Sequence, residues 1–104
     1  MFSHLLNTEK ITAWCVPYYD RMSENLCFVI WNMEREEESI EVSLIYNGEK
    51  IQEVVVKPQH WFNLDLGKYE NAKSLLVTLN GKTRNSYFFD EYREDFKEVS
   101  FRDF

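Results

Sequence analysis

Alternation of apolar and polar residues is clearest over residues 39–57, SIEVSLIYNGEKIQEVVVK. Ile40, Val42, Leu44 and Tyr46 take every second position, the period of a half-buried strand. Asn47-Gly48 supplies two residues that tolerate positive φ, a strong hairpin signal. The chain returns through Ile51 and Val54, Val55 and Val56, β-branched residues suited to a pleated surface. A three-residue loop sets Tyr46 against Lys50, Val42 against Val54 and Ile40 against Val56, making one face continuously apolar. A slip of one residue sets Val42 against Glu53, so burial fixes the register.

The rest of the chain reads as further short strands. Residues 10–19 form a first strand, and Pro17 makes it an edge strand or breaks it near its end. Residues 26–33, LCFVIWNM, are apolar without alternation, as in a central strand covered on both faces. Residues 61–66 and 74–79 alternate again, and Asn80-Gly81 opens a polar loop before a strand at residues 86–89. Residues 67–73 read as a polar connection with one short turn, and the N-terminal segment with His4 as frayed. In the tail the period changes: Phe89, Tyr92, Phe96 and Val99 form a helical stripe, with Asp90 placed to cap it. Beyond Val99 the pattern reads equally as helix or strand.

Seven candidate strands with turn signals between them predict a mainly β fold. The expectation is one domain over residues 1–104: an antiparallel sandwich of six or seven strands with a short C-terminal helix within residues 90–104. Its topology is immunoglobulin-like or fibronectin-like by analogy. The Cys…Trp…Cys spacing of a true immunoglobulin domain is missing. With 104 residues, a core of ordinary size needs no covalent staples.

Composition changes this picture in three places. The longest apolar run, residues 26–31, is far too short for a membrane span, and the N-terminus has no secretory pattern, so the expected location is cytoplasmic. Cys15 and Cys27 are then reduced; they face each other only if residues 20–22 make the hairpin loop. The net charge of −6 is localised: residues 34–41 contribute −4 and residues 90–104 contribute −3. That balance argues against direct nucleic-acid binding, and Lys82 with Arg84 is too small a cluster to reverse it.

Chemistry is sparse. The two histidines, His4 and His60, lack a Gly-x-Ser-x-Gly elbow to support a hydrolase, which leaves His60 as a weak catalytic candidate. Cysteines and histidines do not fall at the close pair spacing of structural zinc sites, and three isolated glycines build no phosphate loop. No metal or cofactor is expected. The expected function is therefore non-enzymatic: an adaptor or inhibitor that binds a basic protein partner through an acidic and aromatic surface. Its residues are Glu34, Glu36, Glu37, Glu38, Asp90, Glu91, Glu94 and Asp95, with Trp61, whose phase opposes Phe62 and Leu64 and so exposes it. A sharper form is phosphate mimicry, blocking a nucleic-acid-binding enzyme as small acidic anti-defence proteins of phages do. The alternative is a carbohydrate-binding module using Trp61 and Trp14; a homodimer is compatible with either.

Overall fold

The computed structural model describes residues 4–7, 12–35, 38–91 and 93–99, with backbone alone for 4–7, 12, 83, 98 and 99. Two four-stranded antiparallel sheets face each other. The first has the order β1-β2-β3-β6, from β1 (His4–Asn7), β2 (Thr12–Asp20), β3 (Asn25–Asn32) and β6 (Trp61–Lys68). The second has the order β5-β4-β7-β8, from β4 (Ile40–Tyr46), β5 (Glu49–Val56), β7 (Ser74–Leu79) and β8 (Thr83–Phe88). Reading β2 to β8 as strands A, B, C, C′, E, F and G gives A-B-E against C′-C-F-G, an immunoglobulin-like connectivity with β1 added outside A. Leu26, Phe28 and Ile30 of one sheet and Val42, Leu44 and Val77 of the other fill the space between, all essentially solvent-free.

Burial does fix the β4–β5 hairpin, with one change of detail. Ile40 pairs with Val56 and Val42 with Val54, as the alternation requires. The turn, however, is Asn47-Gly48 alone, with φ of 52° and 86°, so Tyr46 faces Glu49 rather than Lys50. A bulge on β5 restores the apolar register, because Leu44 pairs with Gln52 and Ile45 with Lys50, leaving Ile51 over.

Other boundaries move for identifiable reasons. His4 lies not in a frayed segment but in β1, whose four residues pair with β2. Pro17 lies two positions beyond Cys15, the last residue of β2 described as paired with β1. The first hairpin loop is wider than residues 20–22, so Cys27 pairs with Tyr18 and Cys15 with Ile30. Cys15 therefore enters the core while Cys27 sits on the outer face, and both are buried and not joined in a disulfide. β8 starts at Thr83 rather than residue 86. The helix, α1 (Arg93–Val99), starts after a 3-10 turn over Phe89–Glu91, so Asp90 precedes it by three positions. Phe89 and Phe96 of the predicted stripe are solvent-free, whereas Tyr92 and residues 100–104 lie outside the described residues.

Tyr69 closes the end of the sandwich where α1 docks. It sits in the turn after β6, 1% exposed, inside a connection whose sequence reads as polar. Its N–H donates to the Glu24 carbonyl (3.0 Å) and its hydroxyl to the Arg93 carbonyl (3.0 Å). Its ring stacks on Phe96 at 5.4 Å and meets Phe89 edge-on at 5.9 Å. Arg93 answers with charge-assisted bonds to the carbonyls of Tyr69 (2.7 Å) and Ala72 and to the Asp90 carboxylate (2.6 Å). Arg93→Ala should cost about 2–3 kcal/mol, because two backbone carbonyls lose a charged donor. Arg93→Lys should recover less than half of it, since one ammonium cannot reproduce the planar fork. Urea denaturation of the two variants checks both expectations; equal recovery by Lys would mean that charge alone holds α1.

Candidate functional site

The outer face of the first sheet is apolar where a two-layer sandwich is usually wet. Val16, Tyr18, Cys27 and Val29 point away from the core, yet each is less than 10% exposed. Among the described residues no third layer covers them. Of the described side chains, Trp14 is the partly buried hydrophobic one that packs against them. This explains why residues 26–33 show no alternation: both faces of β3 are dry, although only one meets the other sheet.

Strand register extends Trp14 into a row of indoles on the same face. Trp14 of β2 pairs with Trp31 of β3, and Trp31 pairs with Trp61 of β6, so three tryptophans form one row across three adjacent strands. The Trp61 ring lies on Trp31 with centroids 4.8 Å apart and planes at 28°. It also meets Trp14 edge-on at 6.0 Å. Trp14 and Trp31 are half-buried, whereas Trp61 is 57% exposed, as its phase along β6 predicts. One turn further along the sheet the Tyr18 hydroxyl donates to Asn63 Oδ1 (3.1 Å).

Asn32, the residue after Trp31, anchors this end. It is solvent-free, and its amide donates to the carbonyls of Glu38 (3.1 Å) and Val56 (2.9 Å). Its Oδ1 accepts the Glu34 N–H (3.0 Å). Its backbone N–H donates to the His60 carbonyl (3.0 Å), and its own carbonyl accepts the Gln59 N–H (2.9 Å). Gln59, at φ 59°, adds amide bonds to the carbonyls of Met33 (3.2 Å) and Glu34 (3.1 Å). The 33–39 connection and β5 thus converge on the Asn32 side chain, and the turn before β6 on its backbone.

The acidic set is divided by this geometry. Glu34 and Glu38 lie at the tryptophan end, half-buried and exposed respectively, and Glu36 and Glu37 lie outside the described residues. Asp90, Glu91, Glu94 and Asp95 are all exposed, but at the α1 end. An eight-residue strand, about 26 Å long, separates the two groups. Of these acids, Glu34 and Glu38 are the described ones at the end that carries Trp61.

His60 is exposed beside Trp61, with Nδ1 2.8 Å from the Pro58 carbonyl. A carbonyl only accepts, so Nδ1 carries a proton and its orientation is set by backbone, not by an acid or a nucleophile. Among the described residues there is no cluster of three metal-ligating side chains. No family model, curated protein or solved structure matches the chain.

Sequence reasoning singled out Trp61 and Trp14 but not their union with Trp31, and it missed Asn32 altogether. The signal for Asn32 was a polar residue ending an apolar run, which reads as a strand terminus. Burial in the core pushes the Cys15 thiol up from 9.0 to about 12. The unfolded chain ionises this thiol near 9.0 and the folded chain does not, so stability is full below that pH and declines toward about 12. At pH 10.5 the wild type should lose about 2 kcal/mol relative to Cys15→Ala, read as the difference in the two proteins' stability-versus-pH slopes. Parallel slopes would place the thiol in water.

Proposed function

We propose that the chain is a protein-binding module, an adaptor or inhibitor, that engages a basic partner at its tryptophan end and works in the cytoplasm. The in-register row of Trp14, Trp31 and Trp61 carries this reading. Trp61 offers a large exposed ring whose position is already fixed by stacking, so little freedom is lost when a partner covers it. Glu34 and Glu38 sit at the margin of the same end, where carboxylates guide a cationic partner and set its orientation. Phosphate mimicry draws support only from the 34–41 segment, since the acids near α1 lie at the far end.

A carbohydrate ligand is the second reading. Asn63 and Asp65 alternate with Phe62 and Leu64 on β6, exposed in the same phase as Trp61, and amide and carboxylate groups beside an aromatic ring suit sugar hydroxyls. His60 gives hydrolase chemistry no comparable support.

Affinity capture with the wild type, followed by kinetics on the purified partner, tests the primary reading. Trp61→Ala should weaken binding roughly 30-fold, the scale of a hot-spot aromatic, with little change in melting temperature. Glu34→Lys with Glu38→Lys should slow association at low salt and leave dissociation nearly unchanged. Unchanged affinity in Trp61→Ala would remove the tryptophan end as the interface. Trp61-dependent binding to an oligosaccharide panel, with no protein captured, would establish the second reading.

A further inference from the structure

The three sheet edges with described side chains, β5, β6 and β8, are not equally protected. β5 carries the bulge at Ile51 together with Lys50 and Glu53, which pair at 3.5 Å. β6 is irregular opposite Asn25 and Cys27, and its Asp65 side chain takes up the Gly67 N–H (2.8 Å). Bulges and charges of this kind discourage edge-to-edge pairing. β8 has neither proline nor bulge, and all six of its residues pair regularly with β7. It lies at the edge of the second sheet, and among the described residues no strand pairs with its outer side. Phe88, on the outward face near its end, is 56% exposed.

We infer that β8 is a self-association edge, which pairs antiparallel with β8 of a second copy to join the two sheets into one of eight strands. The occupant is specified by charge. The segment runs from basic to acidic, with Lys82 and Arg84 at its start and Asp90 and Glu91 just past its end. Antiparallel pairing about a two-fold axis sets the basic end of each copy beside the acidic end of the other. The pleat restricts the register to axes that pass through a residue, because facing residues must share a face, and contact chemistry selects among them. Arg84, Ser86 and Phe88 are exposed while Tyr87 between them is buried. With Ser86 on the axis, Arg84 meets Phe88 of the second copy twice, a cation beside an aromatic ring, and no like charges face each other. Asn85 comes opposite Tyr87 of the second copy. Its side-chain nitrogen is buried and has no hydrogen-bond partner among the described residues, so the second strand supplies polar atoms where one is lacking. The tryptophan row lies on the other sheet, so each dimer presents two such ends.

A pair of six-residue strands is small beside the ~1,200–2,000 Å² of a stable interface, so the dimer should dissociate on dilution. Sedimentation velocity across a wide concentration range should show a monomer–dimer equilibrium for the wild type. Arg84→Glu, an exposed change that sets an acid toward the second copy's Asp90, should raise its dissociation constant at least about tenfold with an unchanged melting curve. Ser86→Cys with oxidised glutathione should give a disulfide-linked dimer, whereas Arg84→Cys, displaced from the axis, should not. A wild type that stays monomeric throughout, or cross-linking that is equal at the two positions, would overturn the proposal.

Discussion

Asn32 is the residue on which the tryptophan end depends. A solvent-free amide costs free energy unless every polar atom is met, and a half-satisfied one is worse than an apolar side chain. Here both amide hydrogens and the amide oxygen are used, on Glu38, Val56 and Glu34. Its backbone adds the link to the turn holding Gln59 and His60. The first sheet ends and the second begins around this one side chain. Trp31 precedes it, Trp61 follows the turn it holds, and Glu34 hangs from its oxygen. The stacked indoles are consequently the face of a braced corner rather than side chains on a loose rim.

The opposite end is braced by different chemistry. Tyr69 and Arg93 exchange bonds through each other's backbone carbonyls, and the aromatic rings of Phe89 and Phe96 exclude water around them. Asn47 contributes there too: its side chain accepts from Lys73 (2.8 Å) and Ser74 (3.1 Å) and donates to Asn71 (3.0 Å). A turn residue at φ 52° therefore also holds the neighbouring connection. The two ends differ in consequence. At the α1 end the aromatics packed on Tyr69 are buried, Phe88 is exposed on the outer face of β8 and the Asp90 carboxylate is paired with Arg93, whereas at the Asn32 end an exposed, stacked indole adjoins Glu34 and Glu38. Among the described residues, the second is the end where stacked indoles lie beside carboxylates.

How much of this could be read in advance follows from the range over which each feature is encoded. The β4–β5 register was readable because its apolar pairs and its turn lie within 19 residues of sequence. The exposure of Trp61 followed from phase along one strand. The tryptophan row was not readable, because it depends on two strand registers linking residues 14, 31 and 61. The first of those registers turned on whether the loop is residues 20–22 or 21–24, a choice that polar loop residues do not dictate. Tyr69 was hidden for another reason: a single aromatic in a polar stretch has no period. Net charge was readable as a sum over segments, but not its division between two ends, which is a property of topology.

The central claim is that partner contact falls on the Asn32 end and not on the acidic helix. Three indole N–H groups and the backbone amides of α1 give separate NMR signals from the two ends. On titration with the purified partner, the indole signals of Trp61, Trp31 and Trp14 should shift or broaden while the amides of Arg93–Val99 stay in place. Shifts confined to the α1 amides, with the indole signals unmoved, would contradict the account.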